Sequence, residues 1–487
     1  MRRKLAFRVA AGGCVFMLLL FAAAMLSACS DVTLPAPSLP SPVYTMNVTY
    51  DGERSVEVAQ ELVFTLCGDA EEIPLHLYPN AFSQRASSLP CLPEEKDDFY
   101  YNGESFGNID VLNVVLNGKT TDTVISEDGG ILTVPCDASA GDTLTLSLDA
   151  LITLPECNAR LGVAQDTVNL STFYPVLCFY DGEEWRTDAY SAIGDPFLSD
   201  ISTFYVTLTA PEEYVVAASG EVTRSVLRGE DRVTEISAEN VRDFALFLSP
   251  DFERETAMAE TARGDVTVTY FYISDEDASA TAALAAQAVE TFSAAFGDYP
   301  YSRFTLAEAE VGAAGMEYGT LATLSPALSA ESREQTVVHE TAHQWWFGVV
   351  GSDQIRTPWL DEGLTEFSAA YFRLLNGDTA AYAAAVSAAR DYFSLYASLP
   401  SAIGFDGSLS RPASSFLTAG EYTAVVYCNG LLLFDTLLSL TGRAAFSAAL
   451  ADYFETCAFS VAAPSDLAAA FSRAGFDIRP VLAAYGA

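Results

Sequence analysis

Two of the three histidines in this 487-residue chain stand four positions apart, in His339-Glu340-Thr341-Ala342-His343. The surrounding stretch, 331–347, reads as a helix that ends near Gly348. On a helix, residues i and i+4 project from one face about one turn apart. Two imidazoles so placed can grip a single zinc ion. Glu340 is offset by one position, so its carboxylate reaches the attacking water without ligating the ion, as a general base must. The bland alternative is a helix with two unrelated surface histidines, and the acidic residues downstream weigh against it.

Pro358-Trp359-Leu360-Asp361-Glu362-Gly363 opens another helical stretch, with Pro358 at a first-turn position. Eighteen residues separate His343 from Glu362. A second helix can therefore return the Glu362 carboxylate to the metal, giving two histidines and one glutamate with a fourth position open. Glu366, one turn further on, can accept a hydrogen bond from a ligating imidazole and fix its tautomer. Asp361 is the other residue suited to that supporting role, or else a helix-start acid favoured by the dipole.

Charge and composition narrow the class. The chain carries 25 Lys+Arg against 65 Asp+Glu, a formal net charge of -40. Such a field repels phosphate backbones, which excludes a nucleic-acid partner. Charged residues are still only 18%, so the acidity comes from scarce Lys and Arg and reads as solubility in an exposed compartment. Hydrophobic residues at 50% and aromatics at 12% exclude a disordered chain. At roughly 100–200 residues per domain, two or three domains are expected.

The N-terminus reads as an export signal. Arg2, Arg3, Lys4 and Arg8 precede an apolar run from Val9 to Ala28. Leu26-Ser27-Ala28-Cys29 resembles the lipobox of bacterial lipoproteins, which implies lipidation at Cys29 and a membrane-anchored, extracytoplasmic protein. An uncleaved membrane anchor is the alternative. No other stretch reads as a membrane span. Of nine cysteines, seven lie between Cys67 and Cys457, with no C-x-x-C or Cys/His cluster, so neither a thiolate metal site nor a redox motif is expected.

The organisation follows from periodicity. Residues 1–28 are the signal, and 29–43 form a Pro-rich tether with Pro35, Pro37, Pro40 and Pro42. Residues 44–255 carry period-two runs at 55–66, 111–116, 143–148 and 204–208, which predict an antiparallel β saddle or sandwich. After a strand at 266–272 the chain turns Ala-rich, and helices are expected at 278–296, 331–347, 359–375 and 378–396. Residues 256–487 would form the mainly helical catalytic domain, so the fold class is α+β and multidomain.

At this point the chain resembles a known family. H-E-x-x-H, 18 intervening residues and then W-L-D-E-G are similar to the gluzincin aminopeptidases of the aminopeptidase N and leukotriene hydrolase family, peptidase family M1. Ala314-Gly315-Met316-Glu317-Tyr318 resembles the family's G-x-M-E-N motif, with Ala314 and Tyr318 departing from it. Tyr427-Cys428-Asn429-Gly430 resembles its Y-E-K-G segment, with Asn429 in place of Lys. Leu75-His76-Leu77-Tyr78-Pro79-Asn80, Gly194-Asp195-Pro196-Phe197 and Arg242-Asp243-Phe244-Ala245 resemble stretches of the family's saddle domain, which makes His76 structural.

The resemblance implies a thermolysin-like catalytic domain holding one Zn2+ through His339, His343 and Glu362. It also implies a short form, since larger members continue into a long helical C-terminal domain. Glu317, with Gly315 and Met316, would bind the free α-amine of a peptide substrate, and Tyr427 would stabilise the oxyanion. The expected activity is release of N-terminal amino acids from extracytoplasmic peptides. A zinc endopeptidase on the same fold, a catalytically inactive peptide-binding lipoprotein, and an ester or epoxide hydrolase are the other readings. The residues do not place the second amine-binding acid.

Overall fold

The computed structural model describes residues 34, 41–87, 90–399 and 404–487. The export signal and Cys29 lie outside the described residues, as does most of the Pro-rich tether. The described residues from 41 onward belong to one compact unit, Pro37–Ala487.

The period-two runs become an eight-stranded sheet in the order Glu221–Arg228, Asp231–Val241, Ser202–Pro211, Val43–Tyr50, Ser55–Thr65, Thr143–Thr153, Asn108–Leu116 and Lys119–Thr120. Val43–Tyr50 and Ser55–Thr65 alternate buried and outward residues along their length. Alternate side chains of a strand fall on one face, so Tyr44, Met46, Val48, Val58, Leu62 and Phe64 all reach one core. Neighbours in this sheet are antiparallel, except that Val43–Tyr50 runs parallel to Ser202–Pro211. The parallel pair joins segments far apart in sequence, as a parallel pairing must. Two four-stranded sheets complete the β region.

Glu253–Thr261 opens a further, five-stranded sheet in the order Glu253–Thr261, Gly264–Tyr272, Arg303–Glu308, Leu321–Leu324, Gly315–Tyr318. Gly315–Tyr318 is its edge strand, antiparallel to Leu321–Leu324. Helix Ala278–Phe296 links the second and third strands and buries Ala285, Val289, Phe292 and Phe296.

The histidine-bearing helix is Ala330–His343. It begins at Ser329, whose hydroxyl accepts the Ser332 N–H at 3.1 Å and so satisfies a first-turn donor. The sequence pattern carries this helix to 347, but the regular part stops at His343 and a π turn, Gln344–Val349, follows. Trp345 and Trp346 are both buried, against Phe292 and Phe296 respectively. A regular helix sets successive side chains about 100° apart, and the wider turn lets two consecutive indoles enter one core. The stretch expected at 359–375 likewise divides into a 3-10 turn, Pro358–Leu360, and helix Glu362–Leu375. The expected 378–396 helix is Thr379–Ser398, with Asp378 accepting the Ala381 N–H at 2.9 Å.

Ala419–Thr441 is long and apolar enough by length and composition to cross a membrane, which the sequence reading did not count. Its most apolar window is 61% buried within the protein, so it is core.

Buried charges tie the β region to the helical one. Arg242 donates to the carbonyls of Phe347 at 2.8 Å, Ser199 at 2.9 Å and Ser460 at 3.1 Å. A Cβ at position 351 would fall on that guanidinium, so Gly351 leaves the space it occupies. Asp243 accepts the Gly319 N–H at 2.6 Å, next to the edge strand.

Candidate active site

His339 Nε2 lies 3.1 Å from His343 Nε2 and 3.2 Å from Glu362 Oε2, and His343 Nε2 lies 3.3 Å from the same oxygen. The far nitrogens are also held: His339 Nδ1 is 2.9 Å from Glu366 Oε2 and His343 Nδ1 is 3.0 Å from Asp361 Oδ1. A carboxylate only accepts, so each Nδ1 is placed to donate, and a neutral ring so oriented presents a lone pair at Nε2. Two lone pairs and a carboxylate meeting at these distances repel one another unless a cation lies among them. Burial opposes a charged imidazole, yet the bonds to Glu362 and Glu366 drive His339 up to about 10, so without a cation the ring itself takes the positive charge. Burial also opposes ionisation of Glu362, but His343 and His339 more than offset it and hold the carboxyl well below its usual range. A two-histidine, one-carboxylate set with each imidazole oriented from behind fits zinc.

Glu340 is buried beside this set, and its Oε2 has no hydrogen-bond partner among the described residues. Burial pushes its carboxyl up to about 7, against the opposing pull of His339 and His343. Such a group can both take and return a proton near neutral pH. A Cβ at position 315 would come within 2.5 Å of Glu340 Oε1, so Gly315 is what lets the edge strand pass this carboxylate.

Glu317 is 3% exposed and directs Oε2 to within 4.0 Å of His343 Nε2. Burial pushes its carboxyl well above the usual range, although His343 pulls it back. Met316, one residue earlier, turns the other way and packs in a small core with Ala307 and Val311. Gly315–Tyr318 lies at the edge of the five-stranded sheet, so its outer side pairs with no strand among the described residues.

Tyr427 lies on a π turn, Thr423–Asn429, with its ring 6.0 Å from that of His339 and nearly parallel to it. Two glycines bring it there. A Cβ at Gly363 would lie 2.8 Å from Gly430 Cα, and one at Gly430 would lie 2.6 Å from Gly363 Cα. Helix Glu362–Leu375 and helix Gly430–Thr441 therefore touch backbone to backbone. The glycines of W-L-D-E-G and Y-x-x-G are one contact seen from two sides.

Two further residues enter the site that the sequence reading did not assign. Asp195, buried and 2.7 Å from Arg160 Nη2, sets its carboxyl against that of Glu362. Burial, reinforced by Glu362 and Asp361 against the pull of Arg160, raises it to about 6. Gln354 donates to Glu317 Oε1 at 3.0 Å and to Asp361 Oδ2 at 2.6 Å. Neither lies at helical spacing from the histidines, so no local pattern marks them. His76 stays out of the site: its Nε2 meets the Arg186 carbonyl at 3.1 Å.

His339, Glu340 and His343 on one helix and Glu362 opening the next, beside the edge strand Gly315–Tyr318, make the kind of site that a zinc metallopeptidase needs. Residues 298–485 match the peptidase family M1 domain. The fold is similar to that of an M1 zinc metallopeptidase from Deinococcus radiodurans, with a TM-score of 0.66 and 21% identity over 93% of this chain and 95% of that one. A mutant of a Deinococcus radiodurans M1 zinc metallopeptidase bound to a Tyr-Ser-Ala substrate gives 0.64 and 20%, over 93% and 96%. Legionella pneumophila aminopeptidase A in complex with aspartic acid gives 0.64 and 15%, over 92% of this chain and 50% of that one. At these identities the likeness is one of fold. No curated protein sequence matches the chain.

Proposed function

We propose that this protein is a zinc aminopeptidase that removes N-terminal residues from peptides with a free α-amine. The observation that carries this reading is the 4.0 Å between Glu317 Oε2 and His343 Nε2. In a peptide, the α-nitrogen and the first carbonyl carbon are two bonds apart, about 2.5 Å. An ammonium paired with Glu317 therefore brings the first peptide bond, and no later one, to the histidine cluster.

His339, His343 and Glu362 would hold the zinc, which when bound lowers the pKa of water and polarises a carbonyl. Glu340 takes the proton of the attacking water and returns it to the leaving amine. The Tyr427 hydroxyl donates a hydrogen bond to the oxygen on which charge develops. Glu366 and Asp361 keep the two imidazoles in the tautomer that leaves Nε2 free. Glu317 fixes the ammonium through a charge-assisted hydrogen bond in a buried setting.

Incubation of the purified protein with an unblocked decapeptide tests the reading. Products shortened one residue at a time from the N-terminus are expected, and they disappear with a zinc chelator. Internal fragments as first products would overturn it in favour of an endopeptidase.

The membrane reading belongs to the same proposal and rests on Leu26-Ser27-Ala28-Cys29 behind a basic, then apolar, N-terminus. Lipidated Cys29 would hold the enzyme outside the cytoplasm, where it meets extracellular peptides. Cys29→Ser should then yield soluble protein or an uncleaved precursor. A mature, membrane-bound Cys29→Ser protein of unchanged mobility would contradict it.

A further inference from the structure

We infer that Gln354 is the positioning residue that holds Glu317 in its amine-binding orientation and couples it to the metal-holding His343. The inference rests on the aminopeptidase reading and goes beyond it. Gln354 is 3% exposed, and its single amide nitrogen donates to Glu317 Oε1 at 3.0 Å and to Asp361 Oδ2 at 2.6 Å. Asp361 uses its other oxygen, Oδ1, on His343 Nδ1 at 3.0 Å. One continuous line of contacts therefore runs from Glu317 through Gln354 and Asp361 to His343.

The amide does two things for Glu317. Among the described residues, Gln354 supplies the one hydrogen bond that this buried carboxylate accepts from a side chain. A buried carboxylate without donors is strongly disfavoured as the ion, and only the ion attracts an ammonium. Gln354 also occupies Oε1, which leaves Oε2, the oxygen 4.0 Å from His343 Nε2, to the substrate. A glutamate in place of Gln354 would add a third carboxylate to the pair, and an apolar residue would remove both bonds.

The loop bearing Gln354 is itself fixed from the β region. Asp353, its neighbour, accepts Arg186 Nη1 at 2.6 Å with Oδ2. Its Oδ1 accepts the N–H groups of Ile355 at 3.1 Å and Arg356 at 2.9 Å. Arg186 is also bonded to Asp188, and its carbonyl meets His76. The amide thus stands on a rigid turn.

The test uses Gln354→Met, which keeps the length of the side chain and removes its donors. The readout is kcat/KM for an unblocked peptide divided by that for its N-acetylated twin, together with bound zinc per chain. In Gln354→Met the ratio should fall roughly 10- to 30-fold, mostly through KM for the unblocked peptide, as expected for one lost bond to a charged group. Zinc content should stay at the wild-type level, because Asp361 keeps its bond to His343. In a Glu317→Ala background Gln354→Met should change the ratio no further. Should the methionine variant fail to fold, Gln354→Asn, one methylene too short to reach both carboxylates, gives the same direction. A ratio unchanged in a folded, zinc-loaded variant overturns the inference, as does loss of activity toward both peptides in equal measure. A wild-type ratio near one overturns the aminopeptidase reading instead, so the two failures are distinct.

Discussion

At the histidine end of the site three atoms that could hold a metal ion come from two helix segments, and each imidazole meets its own carboxylate at the far nitrogen. At the amine end Glu317 comes from an edge strand, Tyr427 from a π turn, and Gln354 from a loop held by the β region. The first arrangement is local: His339, Glu340 and His343 sit within five residues of one another, and Glu362 and Glu366 within another five. The second depends on contacts between segments 37 to 167 residues apart, such as Gln354 with Glu317 and Arg186 with Asp353. On the proposed reading, the hydrolytic chemistry is concentrated in the compact end and the selectivity for a free α-amine falls to the distributed end.

The largest effect expected is at the compact end. Glu340→Gln should lower turnover by roughly two to four orders of magnitude while zinc stays bound, because base and ligand are different residues. Zinc analysis alongside the rate checks it, and an emptied site would break the division of roles. Glu366→Ala removes the carboxylate behind His339 and should weaken zinc binding roughly 10- to 100-fold, read by competition with a chelator. Unaltered affinity would mean that the orientation of His339 comes from packing alone.

The join between the two ends is the glycine contact. Gly363→Ala pushes a methyl group into Gly430 Cα, at 2.8 Å, and should destabilise the fold by about 1–3 kcal/mol in denaturant unfolding. It should also lower kcat more than zinc content, since the displaced element carries Tyr427. A variant as stable and as active as the parent would show that the helices can separate freely.

A smaller effect is expected away from the site. Burial lowers His76 from 6.5 to about 4, although the Arg186 carbonyl works the other way. The neutral imidazole is the folded form, so unfolding takes up a proton between those values. This contribution is whole above pH 6.5 and falls away toward pH 4, by up to about 3 kcal/mol. His76→Gln should flatten that part of the stability profile and leave the ratio of unblocked to blocked substrate little changed. A profile as steep as the parent's would place the acid sensitivity elsewhere.

The same contrast explains what could be read from the sequence. His339, His343, Glu362, Glu366 and Asp361 fall together because helical spacing is a property of the chain itself. The strands at 55–66 and 204–208 were legible because one sheet face is buried and the other wet. Helix ends were less so: a π turn follows His343 where two adjacent tryptophans are both buried, and only the packed core shows that both point inward. Asp195 and Gln354 carry no periodic signal, since their positions are set by Arg160 and by the Asp353 turn.

On the proposed reading Glu317 measures the cut from the α-amine, and one ratio tests this most directly. This is kcat/KM for an unblocked peptide over that for its acetylated twin, in the wild type and in Glu317→Ala. A buried charge left without its partner costs on the order of 2–5 kcal/mol, so the wild-type ratio should lie at roughly 30 to 5,000. Glu317→Ala should bring the ratio close to one while zinc content holds. A wild-type ratio near one, or a high ratio that survives Glu317→Ala, would contradict the account.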